Sequence, residues 1–401
     1  MSCYCSYLSP IIPLLANNGD KFPMGASILK DRSIAIRERP EGTCGLIMAQ
    51  IQKQVALTCK RFALLMALLS ASLALSAFFA GLIGRVEIPP SEVVRSILTE
   101  LGLMKDPSLN DAWPVVVLHI RLSRICLSMF VGMALAVAGA TFQGIFRNPL
   151  ADPFTIGVST GAAFGASLAL FLGFGHHALF GLGFLPLASL AGALLALSAV
   201  VALGRINGRL RRETMVLAGI VVATSLSALI SLIKSLDEES VSSIVFWVMG
   251  SFQGRGWSHV GFALPYMTAG WILIGIHARE LDLLSLGDIQ AKQLGVDVDR
   301  VRLRLLIGAS LLTAAAVSVS GVIGFVGLVV PHLIRLTLGA EHRPLLILSA
   351  LLGGMALLWS DVAARILLPG GEELPVGVVT ALLGGPFFCL LLRTRKGGEI
   401  P

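Results

Sequence analysis

Between Arg61 and Arg85 the chain carries no Asp, Glu, Lys or Arg. The same holds between Arg124 and Arg147, between Glu213 and Lys234, and between Gly256 and His277. Each run is long enough to cross about 30 Å of hydrocarbon as a helix. A charge at the middle of such a span costs about 2.5–3.5 kcal/mol, so missing charge marks a crossing. A backbone in lipid must satisfy its own hydrogen bonds, which restricts long apolar runs of this kind to helices. Hydrophobic residues make up 55% of the chain and charged residues 14%. Soluble domains carry roughly 25% charged residues, so too little charge remains here to clothe a water-facing surface. The class predicted is an all-α polytopic membrane protein.

The remaining spans follow from the same rule. The run between Asp152 and Arg205 is too long for one crossing and breaks at 173–183, around His176 and His177. Region 305–334 is either one tilted helix or two helices meeting near Gly321-Val-Ile-Gly324. Basic clusters flank it on both sides: Arg300, Arg302 and Arg304 before, Arg335, His342 and Arg343 after. Both clusters prefer the cytoplasm, so the segment must cross twice. With 345–368 and 374–392 the predicted total is ten transmembrane helices. Lys60, Arg61, Arg147, the 205–212 basic cluster, Arg343 and Arg393-Thr-Arg395-Lys396 then share one face, and Asp237-Glu238-Glu239 and Glu372-Glu373 the other. Both termini are predicted to be cytoplasmic, in a multi-pass protein of the plasma (inner) membrane. Residues 1–47, rich in proline and without periodicity, are predicted to be a poorly ordered tail ahead of a ten-helix transmembrane domain over 48–401, with Met48 an alternative start.

The longest polar interruption, 280–304, falls between the sixth and seventh spans. Leu281, Leu284 and Leu286 precede Gly287, and Ile289 and Leu294 precede Gly295. That spacing predicts two short amphipathic helices, each stopped by a glycine free to take positive φ. The segment is either a solvated linker or a docking element.

Other motifs leave alternatives. Gly157, Gly161 and Gly165 form a flat helix face for packing within one subunit or between two. Gly157-Val-Ser-Thr-Gly161 spells a hydrolase elbow, with Ser159 as nucleophile and His332 as its base, yet that motif needs a strand-turn-helix setting. Arg121 and Arg124 share a helical face at the start of the second span. Arg365 lies four residues after Asp361, as an internal ion pair or as part of a positive collar for an acidic partner outside. Asp361 is also the one clear acid for an ion-coupled relay. The six cysteines show neither metal-ligand spacing nor a disulfide framework. No G-x-x-x-x-G-K-[ST] occurs, so ATP phosphates are not cradled by this chain, and no basic-aromatic stripe points to nucleic acid. No catalytic residue, metal site or cofactor is predicted on the chain.

Six stretches together resemble one permease family. They are Arg121-Leu-Ser-Arg124, Gly144-Ile-Phe-Arg-Asn-Pro-Leu-Ala-Asp-Pro153, Gly157-Val-Ser-Thr-Gly-Ala162, Leu283-Leu-Ser-Leu-Gly-Asp288 with Gln293-Leu-Gly295, Gly324-Phe-Val-Gly-Leu-Val-Val-Pro-His-Leu-Ile-Arg335 and Glu373-Leu-Pro-Val-Gly-Val-Val-Thr380. The family is the membrane subunit of type II ABC importers for iron-siderophore complexes, haem and cobalamin. The resemblance implies a second permease subunit, most simply a second copy, two cytoplasmic ATPase subunits and an extracytoplasmic substrate-binding protein. It implies that Leu283, Leu284, Ser285, Leu286, Gly287, Asp288, Gln293, Leu294 and Gly295 couple to the ATPase. It assigns Arg121, Arg124 and Arg365 to docking of the binding protein, and Arg212, Glu213 and Thr214 to an inner gate. Spans 214–233 and 374–392 are expected to line a pathway of apolar and small side chains. Ser123 stands where the family often has proline, which is expected to loosen the start of the second span.

Overall fold

The computed structural model describes residues 42–84, 88–100, 112–174, 178–179, 182–339, 341–368 and 372–394. The predicted tail lies outside the described residues up to position 41, as does the His176–His177 turn. The chain is already helical from Gly42 in α1 (Gly42–Leu82).

The described residues are predominantly helical. A short amphipathic helix, α2 (Pro90–Glu100), follows α1. Next comes α3 (Ala112–Phe146), whose residues Val115–Leu122 wind as a π-helix. After α4 (Val158–Phe171), strands β1 (Ala178–Leu179) and β2 (Leu182–Gly183) pair antiparallel and lead into α5 (Phe184–Gly204). Strands β3 (Arg205–Ile206) and β4 (Arg209–Leu210) make a second hairpin before α6 (Arg212–Leu236) and α7 (Glu238–Val248). The rest is α8 (Trp257–Ile276), α9 (Ala278–Leu286), α10 (Asp288–Gln293), α11 (Val298–Ser320), α12 (Val326–Leu338), α13 (His342–Ile366) and α14 (Val376–Thr394).

Among the described residues seven helices are long and apolar enough to cross a membrane: the stretch 60–82 of α1, then α3, α5, α6, α8, α11 and α13. Three shorter apolar helices accompany them: α4, α12 and the stretch 376–390 of α14. The predicted break in region 305–334 is present at 321–325, although the first of its two helices is a full-length one. Gly321 turns there at φ 71°, and Ser251 N–H donates to Ser320 O at 2.7 Å, so part of the exposed backbone is satisfied by the α7–α8 connection.

The second span departs from expectation. It begins at Ala112 rather than at Arg124, and the helix runs unbroken through Ser123, whose hydroxyl donates to His119 O at 2.5 Å. Residues 112–120 are apolar enough to extend the helix, Arg124 within it is neutralised by Asp361 and Glu373, and Arg121 donates to carbonyls at the end of α1.

Two helices form the centre. In α3 and α11, 78% of the most apolar window is buried, against 11% in α1. Close approach of backbones makes this possible. A Cβ on Gly132 would overlap the Gly353 carbonyl of α13, and one on Gly139 would overlap Gly327 of α12. The Gly161 and Gly165 face seats on Gly192 and Ala188 of α5, so the glycine ladder packs within the subunit. Hydroxyls inside these helices bond back to their own turns, as Thr141 does to Val137 O at 2.8 Å and Thr313 to Ala309 O at 2.9 Å.

Candidate functional site

The polar stretch between α8 and α11 folds as the two short helices its leucine spacing predicts. Gly287 separates them at φ 130°, and Gly295 ends the second at φ 85°. Their apolar residues divide between two directions. Leu281 and Leu284 are buried against the rest of the chain, as is Ala291, whereas Leu286, Ile289 and Leu294 are more than half exposed. Ser285, Gln293 and Gly295 are exposed, Leu283 is half-buried, and Gly287 is buried. Leu284 therefore anchors α9, and the free surface is carried by Leu286, Ile289 and Leu294.

Acidic residues fix the inner face. Asp282 accepts from His342 N at 2.8 Å and lies 2.6 Å from His342 Nδ1, joining α9 to the start of α13. Asp288 accepts two hydrogen bonds from Arg302 Nη2, at 2.8 and 2.9 Å, and pairs with Arg212 at 3.2 Å. Burial works against the Asp288 charge. The Arg302 hydrogen bond and the charges of Arg302, Arg212 and Lys292 outweigh it and hold the carboxyl below its usual range. Arg212, Glu213 and Thr214 open α6, so the predicted gate and the predicted docking helix are in direct contact through Asp288. Arg302 and Asp299, which sequence patterning marks only as part of a charged cluster, complete that contact.

The three arginines assigned to outer docking converge as well, and all are buried. Arg121 Nη1 donates to Gly81 O at 2.8 Å, using the π-wound turn to reach the end of α1. Arg124 bonds Asp361 at 2.8 Å and Glu373 at 3.0 Å. Arg365 Nε is 3.3 Å from Asp361 and Nη1 donates to Ile83 O at 3.4 Å. Asp361 thus belongs to an ion-pair cluster with two arginines rather than standing alone as a relay acid.

Ser159 lies in the first turn of α4, with no strand before it, beside a cavity of about 10 Å³. That volume holds no more than a water, and His332 is not among its lining residues. Among the described residues no group of three His, Cys, Asp or Glu side chains is arranged to hold a metal.

Among the described residues, seven helices of membrane-crossing length, with a polar two-helix segment between two of them, mark a multi-pass membrane protein. The FecCD transport family matches residues 45–394, and the chain belongs to it. It is 45% identical over 282 residues to the cobalamin import system permease protein BtuC of Halobacterium salinarum, covering 70% of this chain and 74% of that one. To the hemin transport system permease protein HmuU of Yersinia pestis it is 43% identical over 292 residues, covering 72% and 86%. A solved metal-chelate type ABC transporter in an inward-facing conformation superposes with a TM-score of 0.70 at 33% identity, covering 82% of this chain and 98% of that one. The chain is a permease subunit of an ABC importer and not an enzyme.

Proposed function

We propose that this chain forms the translocation pathway of an ATP-driven importer for an iron chelate, a ferric siderophore, with haem or cobalamin as the alternative cargo. The ten apolar helices cross in alternation and leave both termini in the cytosol. A second permease copy packs against it, two ATPase subunits dock from below on α9 and α10, and an external binding protein delivers cargo to the side of the arginine cluster. The observation that carries this is the two-faced docking element: Leu286, Ile289 and Leu294 are exposed, while Asp288 on the same element is bonded to the start of α6. An apolar surface on a polar cytosolic segment fits a protein cleft, and the bond behind it offers a route for mechanical work.

The mostly exposed helix α6 supports a pathway role. Ser227, Ser231 and Lys234 line a cavity of about 290 Å³ together with Ile244, Val248 and Met249. Polar groups on an exposed face of a spanning helix face water rather than lipid. The exposed leucines of α14, Leu382, Leu383 and Leu390, suit a surface covered by the second subunit.

The test is uptake into proteoliposomes holding the permease and its ATPase, with binding protein added outside. Ferric siderophore, haem and cobalamin are compared with and without ATP inside. ATP-dependent uptake of the siderophore is expected. Uptake of haem or cobalamin alone would reassign the cargo, and uptake indifferent to ATP would overturn the importer.

A further inference from the structure

Asp288 is the first residue of α10, and two arginines from different elements meet on it. Arg302 of α11, which is fully buried, clasps its carboxylate, and the other terminal nitrogen of Arg302 donates to Leu210 O at 2.5 Å. Asp299 accepts from Leu210 N at 3.0 Å, so both backbone groups at the end of the β3–β4 hairpin are gripped by α11. The hairpin has little slack of its own, because it reverses over Asn207 at φ 50° and Gly208 at φ 78°. Two residues beyond Leu210, Arg212 returns to Asp288 at 3.2 Å. Asp288 thus reaches the start of α6 directly through an ion pair with Arg212 and, by way of Arg302, through charge-assisted hydrogen bonds to the end of the hairpin.

Arg302 alone would neutralise Asp288. The second arginine comes from the helix with the least buried surface after α1, and the half-buried Asp288 carboxylate does not require it for charge balance. We propose that Asp288 is a positioning residue that transmits displacement of the docking helices to the cytoplasmic end of α6, so that α10, Arg302, the hairpin and Arg212 move as one body. The proposal rests on the importer function and adds to it which bond carries the stroke. In this reading Asp288 acts through Arg302 and Arg212 rather than by its own contact with ATPase or cargo. The surface left for the ATPase is the exposed one, at Leu286, Ile289 and Leu294.

The experiment uses the complete complex in proteoliposomes, with Asp288→Asn, Asp288→Glu and Arg212→Ala, and reads three quantities: ATPase retained in a pull-down, ATP hydrolysis with and without loaded binding protein, and cargo uptake. Asp288→Asn is expected to hold the ATPase as the native chain does and to keep hydrolysing ATP without stimulation by binding protein. Its uptake should fall about tenfold, the worth of one charge-assisted bond, with most of it restored in Asp288→Glu. Arg212→Ala, at a half-exposed position that leaves Arg302 in place, should show the same uncoupling. Native uptake by Asp288→Asn would overturn the proposal. So would loss of the ATPase from its pull-down, which would make Asp288 a docking contact. Native uptake by Arg212→Ala would confine Asp288 to a structural role. Failure of the docking function itself reads out separately, as an Ile289→Asp chain that still retains the ATPase.

Discussion

Arg124 and Asp361 are joined in the interior by hydrogen bonds of 2.8 Å from Nη2 and 3.0 Å from Nε, across 237 positions of sequence. Glu373 takes the remaining terminal nitrogen of Arg124, and Arg365 shares Asp361. Such a cluster adds little over a well-packed apolar core, but it is costly to break, because the survivor is a buried unpaired charge.

Asp361→Asn should therefore destabilise the folded permease by about 3–5 kcal/mol. Thermal unfolding in detergent measures this directly. Arg124→Glu should do the same by setting a third acid among Asp361 and Glu373. Weak docking by that variant must be judged against its yield of folded protein in size-exclusion chromatography.

The two faces of the docking element separate packing from partner contact. Leu286→Asp and Ile289→Asp place a charge on side chains that are 56% and 71% exposed, and should release the ATPase from a pull-down with the permease still folded. Leu284 is 2% exposed. Leu284→Ala should instead lower stability by about 2–5 kcal/mol, as a cavity does. An Ala variant that unfolds at the native temperature would show that Leu284 carries no packing.

Much of this frame is legible in the sequence because membrane helices are delimited by a single strong cost, that of charge in hydrocarbon. The breaks at 173–183 and 321–325 follow from glycine and from the sidedness of arginine. What the rule misses is charge already neutralised. Arg124 reads as the end of a span as long as its partners are unknown, and Asp361 and Glu373 lie far along the chain. The helix α7 lies between two predicted spans, where the charge rule is silent; Asp237 caps it by accepting from Glu239 N at 3.1 Å. In a helix as short as α9, spacing fixes that leucines point two ways but not which of Leu284 and Leu286 is inward.

The depressed carboxyl of Asp288 gives a pH dependence with a definite sign. A group whose folded value lies below its unfolded one, about 3.9 for Asp, contributes stability that is complete above the unfolded value and is lost as pH falls through the folded one. The clamp on the hairpin should accordingly hold from neutral pH down to about pH 4. Limited proteolysis at 205–212 should stay slow over that range and accelerate below it. In Asp288→Asn the cleavage should already be fast at pH 7, with no further acid dependence from this group.

Thr224, Ser227, Ser231 and Lys234 recur at intervals of three and four residues, which places them on one face of α6. The Thr224 hydroxyl is satisfied by Ile220 O at 2.9 Å, whereas Ser227, Ser231 and Lys234 open onto the cavity of about 290 Å³. The expected pathway of purely apolar and small side chains would give uptake indifferent to the charge of residue 234. A lysine in the last turn of α6 that opens onto this cavity, by contrast, attracts an anionic chelate and leaves a neutral one unaffected. Lys234→Glu should reduce uptake of a negatively charged ferric chelate about fivefold relative to a neutral one, the scale of a single partly screened charge contact. Equal loss for both cargoes would mean that Lys234 supports the helix end, and no loss for either would leave the pathway walls passive.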